Sequence, residues 1–190
     1  MLVLDFSTFP MLYTKRLLLR PVTKADANEV FTLRSDSNVM KYIDRPRATT
    51  IDDALNLIQK IENGITNNEG IAWALTLKEN TTLIGIISFH RIEKENYRAE
   101  IGYLLASGFH RKGLMQEAVT AVLDYGFHTM KLHSVEAIIN PANDISAKLL
   151  EKNGFAREAY FKENYYFNSR FLDSAVYSLL APSAIEAKAE

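Results

Sequence analysis

The chain has 190 residues, with 22 basic and 23 acidic side chains and a formal net charge of −1. That balance gives no electrostatic reason to expect nucleic acid or an anionic membrane as the main partner. It contains no cysteine, which excludes a disulfide framework, a thiolate metal site and a cysteine nucleophile. The absence fits a reducing, cytoplasmic compartment, and no apolar run approaches the roughly 18 to 20 residues that a membrane span needs.

Met1 to Tyr13 is apolar but carries Asp5 and Pro10 and lacks a basic leader, so it reads as an extension packed on the domain, not a signal peptide. Arg16 to Pro21 reads as a short strand closed by proline. A helix then starts near Lys24 or Ala25 and runs through Val30, Phe31 and Arg34, with Asp26 and Glu29 suited to its first turns. Thr50, followed by Asp52 and Asp53, caps a second helix in which Ile51, Leu55, Ile58 and Ile61 recur at helical spacing to about Thr66. The pattern then shortens: Ile71 to Leu77, Leu83 to Phe89 and Tyr97 to Leu105 read as three antiparallel strands.

A longer helix spans Leu114 to about Met130, with Ala118, Val119, Val122, Tyr125 and Gly126 on one stripe. Ser134 to Ile139 is a buried-looking strand, and Asn143 to Lys152 a short helix closed by a left-handed cap at Asn153 and Gly154. Two more strands fall near Phe155 to Asn164 and Leu172 to Leu180, and Ala181 to Glu190 has the composition of a frayed tail. With no linker or repeat, residues 1–190 are expected to form a single domain. The order β-α-α-β-β-β-α-β-α-β-β predicts an α+β, mixed α/β fold in which helices cover a mostly antiparallel sheet of seven strands.

One junction carries the chemistry. Ala106 to Met115 joins a strand to the long helix and contains Gly108, Gly113 and the adjacent cations Arg111 and Lys112. A helix N-terminus offers free backbone N–H groups and partial positive charge, and a glycine lets an anion approach them. The loop lacks the lysine and hydroxyl of a Walker A motif and the glycine triplet of a dinucleotide fold. It serves either a phosphate or only a tight turn.

The stretch Glu100-Ile101-Gly102-Tyr103-Leu104-Leu105, followed by His110-Arg111-Lys112-Gly113-Leu114-Met115-Gln116-Glu117-Ala118, resembles the acetyl-CoA site of the Gcn5-related N-acetyltransferase superfamily. Within it, the likeness is to the ribosomal-protein N-terminal acetyltransferase (RimJ/RimL-like) branch. Thr14 to Pro21 looks like that branch's first strand. Asn140 to Ser146 with Leu149 to Phe155 looks like its second cofactor-facing helix, so the resemblance covers about residues 14 to 180. Two departures stand out. The family's Gln/Arg-x-x-Gly-x-Gly/Ala loop begins here with His110 and ends with Met115, and Leu150 replaces the tyrosine that in many relatives protonates the departing thiolate.

By resemblance, acetyl-CoA is the co-substrate. His110, Arg111, Lys112, Gly113, Leu114, Met115 and Gln116 hold its pyrophosphate, Tyr103, Leu104 and Leu105 present backbone to the pantetheine arm, and Asn143 bonds that arm or simply caps its helix. Ser146 is the candidate acid for the sulfur, or else a serine satisfying local backbone. Glu158 and Glu100 are the candidate bases, or else solvated strand carboxylates. His90, His110 and His133 could also accept a proton, yet none forms a ligand-spaced pair and no metal is expected.

Without cysteine, transfer is expected to be direct, to a protein or peptide N-terminus or to a small-molecule amine; a silent acyl-CoA-binding protein is the alternative. An α-amino group, with a pKa of about 7.7 to 8.0, is neutral at pH 7 far more often than lysine at about 10.4 and demands less of a base. Tyr160, Phe161, Tyr165, Tyr166 and Phe167 form an acceptor wall, a homodimer contact or a core-packed hairpin, and Trp73 reads as core.

Overall fold

Strand periodicity lays out the architecture. In a computed structural model, which describes residues 1–182, side chains of the central strands alternate between two apolar clusters. Trp73, Leu75, Ile87, Phe89, Ala99 and Ile101 point to one face, and Ala72, Ala74 and Ile86 to the other, as a two-residue repeat requires. The strands are β1 (Leu12–Tyr13), β2 (Leu17–Pro21), β3 (Ile71–Leu77), β4 (Asn80–Glu93), β5 (Arg98–Leu105), β6 (Ser134–Ile139), β7 (Ala156–Phe167) and β8 (Arg170–Leu180). They form one 8-stranded sheet in the order β1-β2-β3-β4-β5-β6-β8-β7. Only the β5–β6 pair is parallel.

The expected seven strands are thus corrected to eight. The addition, β1, pairs Leu12 with Leu19 and Tyr13 with Leu18; two residues leave no periodic signal. The extension before it does pack on the domain: Leu2 and Phe6 are buried, and Trp73, wholly buried, donates its indole N–H to Pro10 at 2.8 Å.

Helices α1 (Ala27–Ser35) and α2 (Ile51–Thr66) bury Val30, Leu33, Ala54 and Ile58 on one face. Helix α2 starts where Thr50 caps it, the Asp53 carboxylate accepting the Thr50 N–H at 3.0 Å. Helix α1 is shorter than expected, since Lys24–Asp26 forms a 3-10 turn. Asp26 is no solvated first-turn acid; it is buried and accepts from Arg20 at 2.6 and 2.9 Å.

The other face is covered by α3 (Leu114–Asp124), through Leu114, Ala118, Val119 and Val122, and by Leu150 of α4 (Asp144–Lys152). Helix α3 ends six residues before the expected Met130, because Tyr125–Thr129 winds as a π turn. Within that turn Gly126 lies so close to Phe89 that a Cβ would sit 2.8 Å from the ring. The last helix is closed by Gly154, whose φ of 88° is the predicted left-handed cap.

Of the three readings of the late aromatics, core packing is the one the structure overturns, while the hairpin itself forms. Tyr160, Phe161, Tyr165 and Tyr166 are exposed in the β7–β8 hairpin, not packed in the core. Strand β7 is an edge of the sheet, so no further strand flanks it among the described residues. The tail predicted from Ala181 onward lies, beyond residue 182, outside the described residues. Among those described, no helix is long and apolar enough to cross a membrane.

Candidate active site

Strands β5 and β6 part company after a short parallel ladder. Arg98, Ala99 and Glu100 pair with Ser134, Val135 and Glu136, and the register stops there. Beyond it β5 remains paired to β4 as far as Leu105, and β6 to β8 as far as Ile139. Residues 101–105 therefore present an unpaired backbone edge to a wedge-shaped split. A sheet interior carries such free donors and acceptors at a cost unless something else satisfies them. One is satisfied locally: His110 Nε2 lies 2.8 Å from the Leu105 carbonyl and so donates to it.

The wedge leads to the N-terminus of α3. Gly113 caps that helix at a φ of 71°, a left-handed conformation natural to glycine, and no side chain caps the first amides. Arg111 is also left-handed, at 59°, and exposed with Lys112. Three β2-side groups brace the loop. Glu117 accepts from the Thr14 hydroxyl at 2.5 Å, the Arg16 N–H at 2.6 Å and the Arg16 Nε at 2.8 Å. Arg16 Nη1 also donates to the Lys112 carbonyl at 2.8 Å. Burial pushes the Glu117 carboxyl up, but these donors outweigh it and hold the group below the usual range. The arrangement leaves an anion-ready helix end with its loop fixed from behind.

On the α3–α4 face of the split, Tyr103 Oη lies 2.7 Å from Ser146 Oγ. Burial pushes the Tyr103 phenol up to about 12, so it stays protonated and can donate to the serine. Asn143 caps α4, its Oδ1 accepting the Ser146 N–H at 3.1 Å. Gln116 reaches across to Asn153 at 2.7 Å and ties α3 to α4. Ser146, Tyr103, Asn143 and the residue 110–116 loop are thus brought around one wedge, with Leu104 and Leu105 along its β5 edge.

The opposite face carries charge. His90 pairs with Glu100 across β4 and β5, and Glu100 is buried, with Arg91 Nη1 at 2.8 Å and His90 Nε2 at 3.3 Å. Burial raises the Glu100 carboxyl, but the imidazole and guanidinium beside it prevail and set it below the ordinary glutamate range. It is ionised and already committed to two partners. Glu158 lies elsewhere, exposed at a register shift of β7, and the strand order puts β6 and β8 between it and β5. The two carboxylates do not meet at one point.

The segment between α1 and α2 spans the open end of this face. Asp36 accepts from Ser107 at 2.8 Å on the β5 side, while the Asp44 carbonyl accepts from Tyr165 at 2.7 Å on the hairpin side. Burial pushes the Asp44 carboxyl up, against a hydrogen bond from Asn140. Neither the Tyr103–Ser146 pair nor this strap was apparent from sequence, since each joins residues far apart in the chain; a conspicuous tyrosine in the β5 motif was the only hint. A surface concavity of about 660 Å³, lined by Tyr97, Phe127, His133 and Pro182 among others, lies at the far end of β5 from the wedge. Among the described residues, no group of three His, Asp or Glu side chains is placed to hold a metal ion.

Known proteins match most of this chain in sequence and in fold. The family model described as an acetyltransferase (GNAT) domain matches residues 16–156. The uncharacterized N-acetyltransferase YoaA of Bacillus subtilis is 33% identical, with 92% of this chain and 98% of YoaA covered. The crystal structure of a GNAT-family acetyltransferase from Bacillus anthracis superposes with a TM-score of 0.81 at 32% identity, covering 90% of this chain and 99% of that one. The Escherichia coli ribosomal protein uS5-alanine N-acetyltransferase is 31% identical over 53% of this chain and 52% of its own.

Proposed function

The chain belongs to the GNAT acetyltransferase family, and on that premise we propose that it transfers an acetyl group directly from acetyl-CoA to a protein or peptide N-terminal amine. One observation carries the reading: the wedge between β5 and β6 has an unpaired strand edge along one wall and a glycine-capped, unsatisfied helix N-terminus at its end. The thioester supplies an activated acyl carbon when bound. An extended amide-bearing arm fits the strand edge, and a pyrophosphate fits the amides of Leu114, Met115 and Gln116, with His110, Arg111, Lys112 and Gly113 forming the turn before them. Asn143 contacts the arm while capping α4.

The two faces of the wedge divide the chemistry. Ser146, backed by Tyr103, lies where a departing sulfur needs a proton; a thiol of pKa about 8.5 needs only modest help. The amine enters from the opposite face, under the 37–50 segment, beside His90 and Glu100. Backbone N–H groups of Tyr103 to Leu105 serve the carbonyl oxygen. Exposed Tyr160, Phe161, Tyr165 and Tyr166 provide an apolar wall for the residues that follow an N-terminus. The partial match to an enzyme named for acetylating the alanine of a ribosomal protein supports an α-amino acceptor. An acceptor of that kind would put the reaction in the cytoplasm.

Thiol release from acetyl-CoA, measured against peptides with free or blocked N-termini, lysine peptides, polyamines and aminoglycosides, tests this. Release with free N-terminal peptides alone is the expected result. Release only with a small amine moves the acceptor to that class, and tight acetyl-CoA binding without release for any amine favours a silent binding protein.

A further inference from the structure

The proton route on the amine side is where the structure goes beyond that reading while resting on it. We propose that His90 accepts the proton of the acceptor amine and that Glu100 acts as its positioning residue. The ionised Glu100 can only accept, so the imidazole nitrogen facing it at 3.3 Å, Nε2, carries the hydrogen. Nδ1 is left with its lone pair, 3.5 Å from Ser88 Oγ, and that hydroxyl also lies 3.4 Å from the Gly102 carbonyl.

The ring's position is built into the sheet. Gly102 is the second β5 residue past the end of the β5–β6 ladder, and a Cβ there would lie 2.8 Å from His90 Cε1 and 3.4 Å from Nδ1. The imidazole thus covers the glycine at the head of the wedge, on the face opposite Tyr103 and Ser146. Arg91 takes a left-handed backbone, with a φ of 47°, at the irregularity in β4, and so turns its guanidinium onto the second Glu100 oxygen. Bulged strands re-aim side chains in this way. With Arg91 on one carboxylate oxygen, Glu100 is held ionised and is a poor proton acceptor itself; it orients the ring instead.

The charged groups facing His90 are Glu100 from β5 and Arg91 from β4, with Arg98 and Glu136 next along the same face, 3.7 Å apart. From the β3 side the neighbour is Gly70, which is uncharged. In the step, the amine nitrogen bonds to the acyl carbon and its N–H proton passes to Nδ1, directly or through the Ser88 hydroxyl. The C–S bond breaks, the sulfur takes a proton from Ser146, and solvent removes one proton from His90 and restores the other to Ser146.

The test combines kinetics with a ring readout that needs no acetyl-CoA. His90→Ala is expected to lower kcat/KM about 100-fold, the low end for general-base catalysis, to lose the acid-side limb of the wild-type pH profile, and to regain turnover with added imidazole. Nitrogen-15 spectra of the free protein should show His90 as the Nε2–H tautomer, and Glu100→Ala should abolish that preference while thermal melting confirms a folded chain. Turnover of His90→Ala within threefold of wild type, a loss that imidazole does not rescue, or a tautomer indifferent to Glu100→Ala overturns the assignment. Wild-type protein from which none of the amines elicits thiol release sinks the transfer reading and this one with it, whereas wild-type turnover with an unchanged profile in His90→Ala sinks this one alone.

Discussion

Single side chains at this site act in pairs, and the pairing separates their roles. Ser146 is buried and fixed twice, by the Asn143 cap on its N–H and by the Tyr103 phenol on its hydroxyl. The Tyr103 phenol, kept protonated by burial, can donate to the serine oxygen at 2.7 Å and so leave the serine hydrogen free for the thiolate. Ser146→Ala should therefore lower kcat by about tenfold with the KM for acetyl-CoA little changed, as expected of an assisting acid toward a good leaving group. Steady-state thiol release checks it, and an unaltered kcat would remove Ser146 from the mechanism. Leu150 is wholly buried and carries no proton to give, which on the proposed mechanism leaves that task to the serine.

Elements meet at the α3 N-terminus, where the turn between β1 and β2 reaches across to brace a loop it does not adjoin in sequence. Glu117 collects three donors from Thr14 and Arg16, and Arg16 in turn holds the carbonyl of Lys112. The folded Glu117 carboxyl is lowered, so its contribution to stability is present above the unfolded range near 4.3 and is lost as pH falls through the lower folded value. Glu117→Gln should melt earlier than wild type at pH 7, the gap closing on acidification below about pH 4. The same variant should raise the KM for acetyl-CoA several-fold while leaving kcat nearly unchanged, because the loop loses its brace and the reacting groups keep theirs. Melting curves from pH 7 to 3 and acetyl-CoA titration read the two effects separately.

At the scale of the whole molecule, the N-terminal extension belongs to the main core. Leu2 and Phe6 are buried against the cluster that contains Trp73 and the underside of α3, and Pro10 accepts the Trp73 indole hydrogen bond. Removing residues 2–9 takes away the burial of Leu2 and Phe6 and bares the core surface beneath them, a loss of about 1.5 to 3 kcal/mol for each side chain. Urea unfolding should show a loss of about 3 to 6 kcal/mol by that arithmetic. A loss under 1 kcal/mol would mean the extension is only draped on the surface. The β7–β8 hairpin is the counterexample, since its exposed aromatics show that an apolar segment at a sheet edge has no core to enter.

How much of this was legible follows from the range of the forces involved. Element order, the Thr50 start of α2, the β3 boundaries and the Gly154 cap came from capping and periodicity, which act within a turn or a strand. The glycine loop before α3 was also legible, because a helix end is made by contiguous residues, whereas the parting of β5 from β6 appears only in the sheet register. The partners of Ser146, Glu100 and Glu117 lie 43, 10 and 101 residues away. Strand order put Glu158 two strands from the wedge, and a bulge at Arg91 turned Glu100 from a candidate base into a paired carboxylate. Local chemistry determined which elements form and which loop suits an anion; sheet order and long-range packing alone decided which side chains share the cleft and which are already paired.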